Sequence, residues 1–92
     1  MVHNLKVKPE YFKELKLGRK TFEIRKDDRP YAEGDVLLLR EWDDHLGFTG
    51  SVVTAKAGYI LRNAECFGLD QDYCIISLFY SVPWEAKYLD EE

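Results

Sequence analysis

The feature that most constrains this fold is a single helical segment near the start of the chain. The patterns that follow it predict strands, up to the C-terminal end. The helical segment covers about 9–17: Pro9 suits a first helical residue, and Gly18 suits the position just past a helix end. Alternating or continuous apolar runs predict strands at 3–7, 21–26, 36–42, 51–61 and 73–81. Four or five strands and one helix cannot make a doubly wound sheet. We therefore predict a mainly β, α+β fold, with a small, curled, mostly antiparallel sheet or barrel beside the helix.

The length fits one domain over residues 1–92. A chain of 92 residues buries only about 60–65% of the surface that its unfolded form exposes, so two lobes with separate cores are excluded. We find no repeat and no linker. The spacing of Trp84 and Tyr88 predicts a short terminal helical turn, and residues from about 85 to 92 read as an acidic tail.

Charge is divided unevenly along the chain. The net charge is −4, but residues 1–29 hold nine Lys or Arg against five Asp or Glu, and residues 30–92 hold four against twelve. The negative total argues against a general nucleic-acid coat protein. The basic first third is compatible with one local anion site on an acidic body, or with chance clustering in a short chain.

Few other patterns indicate chemistry. The two cysteines, Cys66 and Cys74, are too few for a disulfide framework and fit a reduced, cytoplasmic setting. No apolar run approaches the roughly 20 residues of a membrane span. We predict no cofactor and no metal, because the run 43–45 (Asp-Asp-His) reads as a turn, and no nucleophile triad or phosphate loop is visible. Trp42 is interpreted as a core or barrel-rim residue, and stacking on a base is the alternative.

The segment 18–25 is the most informative stretch. Lys20 stands at the corner between helix and strand, and Glu23 and Arg25 leave the same strand face about 6.5–7 Å apart. An acid between two cations stays ionised and orients both of them. Lys and Arg together then form an anion site. The alternative is a solvated strand face with ordinary ion pairs.

The pattern Gly18-x-Lys20-x-x-Glu23-x-Arg25 resembles the GxKxxExR signature of ASCH domains (activating signal cointegrator homology), which belong to the PUA-like superfamily. The run 34–37 (Gly-Asp-Val-Leu) resembles the turn and strand of that group, and residues 20–29, 38–43 and 48–50 look like a small bacterial and phage ASCH-like family. The likeness covers about residues 3–80. It implies a PUA-like curled antiparallel β-barrel, with the first helix beside a cleft that is proposed to bind RNA or a nucleotide.

The resemblance implies that this cleft takes single-stranded RNA, or a nucleotide within it. The cations would hold phosphate, Glu23 would orient Lys20 and Arg25 or accept a hydrogen bond from a base edge, and Tyr31 would overhang the cleft and stack on a base. The expected binding residues are Arg19, Lys20, Glu23, Arg25, Lys26, Arg29 and Tyr31.

Two other functions stay open. Some ASCH relatives are amidohydrolases that remove an acyl group from a modified cytidine with a Lys, a Thr and a distant Glu. Lys20 matches the Lys, Glu23 stands at the Thr position, and Glu65 is only a loose substitute for the distant Glu. A non-catalytic protein-interaction or phage accessory module, using the acidic 30–92 block, is the third hypothesis.

Overall fold

A computed structural model describes residues 1–80 of the chain, and the order of its elements is the predicted one. The predicted acidic tail and terminal helical turn lie outside the described residues. Within residues 1–80, no helix is long and apolar enough to cross a membrane. The elements are β1 (Val2–Val7), α1 (Pro9–Lys16), β2 (Phe22–Lys26), β3 (Val36–Asp43), β4 (Gly47–Leu61), a 3-10 turn (Glu65–Phe67) and β5 (Tyr73–Phe79).

The five strands form one curled, half-barrel sheet in the order β1-β3-β4-β5-β2. Three neighbouring pairs are antiparallel, so the sheet is mostly antiparallel, as predicted. The pair of β1 and β3 is parallel, which corrects the expectation of a wholly antiparallel barrel. The cause is the connection: the chain leaves β1, runs through α1 and β2, and returns to β3 in the original direction, as a parallel pair requires. In the described part of the chain β1 and β2 are therefore the two edges of the sheet.

Helix α1 begins at Pro9, as predicted, and buries Phe12 and Leu15 in the core. Its end is a Schellman motif. The N–H of Gly18 donates to Leu15 O at 3.0 Å, and the N–H of Arg19 donates to Glu14 O at 2.9 Å. Gly18 has φ +76°, a conformation that glycine adopts without steric penalty. The motif turns the chain sharply from α1 towards β2.

The core fills the concave side of the sheet, beneath α1. Alternate residues of β1, of the first half of β3 and of β5 are buried, and β4 buries Ala55, Ala57 and Ile60 around its bulge. Strand β2 differs, because its apolar residues Phe22 and Ile24 are 42% and 50% exposed and Glu23 is buried. Glu23 pairs in register with Ile76, a core residue of β5, so both side chains lie on the inner face.

The β3–β4 hairpin is tighter than the sequence indicated. We expected a loop over 43–50, but the strands continue and only residues 44–46 form the turn. Asp43 Oδ1 accepts two backbone N–H groups of this turn, at 2.8 and 3.1 Å, and Gly47 follows with φ +80°. Asp43 thus stabilises a turn, and residues 1–80 contain no cluster of three or more side chains suited to a metal ion.

A buried carboxylate ties β1 to the turn before β3. Asp35 accepts hydrogen bonds from His3 Nε2 at 2.8 Å and from the Ala32 N–H at 3.0 Å. These bonds lower the pKa of Asp35 to about 2, the His3 bond contributing most. The contact keeps β1 in place at the edge of the sheet, where it forms one wall of the site described next.

Candidate nucleic-acid interface

An open cleft of about 690 Å³ lies between α1, the end of β1 and the outer edge of β2. Its size is within the range of small-molecule sites, about 300–1,000 Å³. Five cations and two carboxylates line it, together with the apolar side chains of four residues. The cations are Lys6, Lys8, Arg19, Lys20 and Arg25, and the carboxylates are Glu14 and Glu23.

Glu23 lies between two cations at the inner end of the cleft. Lys20 Nζ donates to Glu23 Oε2 at 2.7 Å, and Arg25 Nε donates to Glu23 Oε1 at 3.0 Å. The Glu23 side chain is only 5% exposed, so both bonds form largely out of water. One carboxylate faces two cations, and the group of three keeps a net positive charge.

Both cations of this group also donate to backbone carbonyls. Lys20 Nζ donates to Phe22 O at 2.7 Å, and one terminal nitrogen of Arg25 donates to Lys6 O at 2.7 Å. The Arg25 bond joins β2 to β1 across the opening between the two sheet edges. Within residues 1–80, one of the three N–H donors of Lys20 and the other terminal nitrogen of Arg25 have no hydrogen-bond partner.

The main chain at Lys20 is held from the far side by Tyr80. Its hydroxyl donates to Lys20 O at 2.7 Å. Burial raises the pKa of Tyr80, and the nearby Glu23 carboxylate raises it further, so this hydroxyl remains a donor. Together with the Schellman motif, the bond fixes the corner that carries Lys20.

One wall of the cleft is aromatic. The Lys20 ammonium lies 5.0 Å from the ring centroid of Phe22 and 6.0 Å from that of Tyr11, within the range of cation–π attraction. Both rings are exposed and line the cleft, and Ile24 continues the wall along β2. A flat, apolar ring can pack here while an attached anion reaches the cations.

The structure brings four of the seven expected binding residues to this cleft and places three elsewhere. Arg19, Lys20, Glu23 and Arg25 line it, with Arg19 at the exposed rim, 3.0 Å from Glu14. Lys26 is exposed at the end of β2 and does not line the cleft. Arg29 lies in a neighbouring cavity, where it donates to Asn4 O at 3.2 Å.

The expectation that Tyr31 overhangs the cleft is wrong. Tyr31 is 5% exposed and belongs to the core, where its ring lies 4.8 Å from that of His3. Burial is the main cause that raises the pKa of its hydroxyl. Its carbonyl accepts a bond from Arg62 at 2.8 Å, which holds the loop against β4. A residue that follows a proline in a polar loop is expected to be exposed, but Tyr31 packs in the core against His3.

A family model described as "domain of unknown function (DUF3850)" matches residues 2–78. The chain belongs to the DUF3850 family. A relative in Escherichia phage P2, called an uncharacterized 12.9 kDa protein in the GpA 3' region, is 42% identical over 55 residues. The alignment covers 60% of this chain and 50% of the phage protein, so the chain spans about half the length of that relative.

The DUF3850 match includes every residue of the cleft, among them several that the sequence reading missed. Lys6 and Lys8 flank the buried Val7 and are both exposed. This alternation in the sequence could have indicated that the two lysines lie on the same, outward side. Phe22 and Tyr11 were not among the expected binding residues. Nothing in the sequence shows that the inner face of β2 is the one that carries Glu23.

Proposed function

We propose that this DUF3850 chain is an ASCH-type, PUA-like domain that binds single-stranded RNA, or a nucleotide within it, in the cleft beside α1. The observation that carries the proposal is the pairing of the Lys20–Glu23–Arg25 group with an exposed aromatic wall in one cleft. Grooves that bind single-stranded nucleic acid combine the same two elements, cations for the backbone and aromatic rings for the bases.

Each element of the cleft has a distinct role in this proposal. Arg19 and Lys8 are exposed at the rim and attract phosphate. The Nε of Arg19 is paired with Glu14, so its terminal nitrogens are the groups that hold the ligand. Phe22 and Tyr11 stack on a base or sugar. Glu23 positions Lys20 and Arg25, whose remaining N–H donors point to groups of the ligand.

The acidic remainder of the chain adds selectivity. Residues 30–92 carry three times as many acidic as basic side chains. A long polyanion that lies across this surface is repelled, whereas a single strand confined to the cationic cleft is not. The proposal is therefore a local site for a few nucleotides.

The amidohydrolase alternative receives less support from the site. A Lys that acts as a base must present a free, neutral amine. Lys20 instead donates hydrogen bonds to a carboxylate and to a carbonyl, as an ammonium does. Glu65 lies in the 3-10 turn and does not line the cleft.

The test is the affinity of a fluorescein-labelled oligouridylate of about ten nucleotides, measured by anisotropy at several salt concentrations. Each phosphate contact on a single strand contributes about −0.7 to the slope of log K against log salt. We expect Arg19→Ala to weaken binding and to reduce the magnitude of the slope by about 0.7. Lys16→Ala is the matched control, because it removes an exposed cation from α1 that does not line the cleft.

The aromatic wall is tested in the same assay. Loss of one stacked base costs about 1–3 kcal/mol, so we expect Phe22→Ala to weaken binding by about 5-fold or more. Phe79→Ala removes an exposed ring of β5 outside the cleft and should leave the affinity unchanged. The absence of RNA affinity at low salt, or equal effects of each variant and its control, contradicts the proposal.

A further inference from the structure

A second, smaller cavity lies on the other side of Lys6, on the outer face of β1 and β3. Its volume is about 340 Å³. Among residues 1–80, four cations and no carboxylate line it, which is unusual in a chain with a net charge of −4. The cations are Lys6, Arg25, Arg29 and Arg40.

Three of the four cations of this cavity, Lys6, Arg29 and Arg40, have no acidic partner within residues 1–80. Arg29 donates to the carbonyl of Asn4 at 3.2 Å. The ammonium of Lys6 lies 4.0 Å from the ring centroid of Trp42, and the guanidinium of Arg40 lies 4.7 Å from that of Phe48. Within residues 1–80, none of these three cations forms a salt bridge. Carbonyls and aromatic rings orient the cations and leave their charges uncompensated.

The same surface offers a ring for stacking. Phe48 lines the cavity and is 47% exposed, and it packs edge-on against Trp42 with 4.9 Å between the ring centroids. Trp42 itself is half-buried beneath Lys6, so it supports the surface more than it offers a face to a ligand. An exposed aromatic ring among unpaired cations is the composition of a single-strand binding groove.

This cavity and the cleft are adjacent. Lys6 and Arg25 line both of them, and the Arg25 bond to Lys6 O forms the ridge between the two. A ligand anion on this ridge faces two cations that belong to both sites. The two concavities therefore form one continuous cationic path over the gap between the sheet edges.

We propose that Lys6, Arg29, Arg40 and Phe48 form a second contact surface that extends the cleft, so that the ligand is a single-stranded RNA of several nucleotides and not a mononucleotide. The inference rests on the proposed function, because the second contact surface gives an RNA bound in the cleft a path along which to continue. Phosphates are bound by Lys6, Arg29 and Arg40, and one base stacks on Phe48.

The experiment compares oligouridylates of about four and about ten nucleotides, lengths that bracket small single-strand sites. We expect the wild-type chain to bind the longer RNA more tightly and with a steeper salt slope. Arg40→Gln should remove about 0.7 from the slope with the longer RNA and leave binding of the shorter one unchanged. Phe48→Ala should weaken binding of the longer RNA by about 5- to 160-fold, which corresponds to the loss of one stacked base.

The control variants are Lys56→Gln, an exposed cation on the outer face of β4, and Phe79→Ala, since neither residue lines either cavity. Equal wild-type affinity for the two lengths, or equal effects of Arg40→Gln and Lys56→Gln, would overturn the inference. Displacement of the longer RNA by polyglutamate at equal charge would also overturn it, in favour of an acidic protein partner. The cleft proposal predicts that Arg19→Ala weakens binding of both RNA lengths. If that effect is seen together with one of the results above, the second contact surface is wrong and the cleft proposal stands.

Discussion

Replacement of Glu23 with Gln tests how the cleft is organised. The change keeps the shape of the side chain but removes the charge between Lys20 and Arg25. A Gln oxygen can accept from one of these cations, and its NH₂ group then faces the other. One of the two bonds, at 2.7 and 3.0 Å, is therefore lost, and a donor group opposes a cation in a buried position.

The expected loss follows from the burial of the carboxylate. A hydrogen bond to a charged group contributes about 1.5–3 kcal/mol. Breaking a fully buried ion pair costs about 3–5 kcal/mol, which is an upper bound because Lys20 and Arg25 retain some contact with water. We therefore expect Glu23→Gln to lower the free energy of unfolding by about 2–3 kcal/mol, and the melting temperature by about 10–20 °C for a domain of this size.

Urea unfolding at pH 7, followed by far-ultraviolet circular dichroism, measures this change. Glu33→Gln is the matched control, because Glu33 is exposed and its replacement alters the net charge equally. An exposed substitution of this kind changes stability by no more than about 0.5 kcal/mol. If the two variants unfold at the same urea concentration, Glu23 does not hold the two cations, and the reasoning on the cleft fails.

Two further predictions concern the elements that support the cleft. Gly18→Ala should destabilise the chain by about 1–2 kcal/mol in urea unfolding, because alanine must adopt φ +76°. The added Cβ meets no atom within 4 Å, so Gly18→Asn, which tolerates this conformation, should lose less; equal losses would contradict the cap. The pKa of Asp35 lies at about 2, below its ordinary value of 3.8, so its stabilising effect is complete above about pH 4 and is lost as the pH falls through about 2. Asp35→Asn should flatten the fall in unfolding free energy over that interval, and an unchanged fall would show that Asp35 is not responsible.

Local patterns predicted the elements of the fold well. Pro9 and Gly18 bound the helix because their effects depend only on neighbouring residues. The alternation of apolar residues over 3–7 likewise predicted strand β1. The parallel pairing of β1 with β3 was not predictable in this way, since it depends on where the chain returns after two further elements.

The residues of the candidate site also differ in whether neighbouring residues alone determine their position. Lys20, Glu23 and Arg25 form a local motif, and a strand spacing of two was enough to place Glu23 and Arg25 together. Tyr31 was misplaced because its burial depends on His3, which is distant in the sequence. The contact of Arg40 with Phe48 depends on the hairpin register, which the longer predicted loop obscured.

Mapping of amide chemical shifts tests the central claim most directly. The ¹⁵N-labelled chain is titrated at low salt with a single-stranded oligouridylate of about ten nucleotides. Binding in the cleft predicts that the largest shifts fall in residues 6–8 and 19–25. Shifts confined to residues 59–61 and 73–79, or no shifts at all, would contradict the assignment of the cleft as an RNA site.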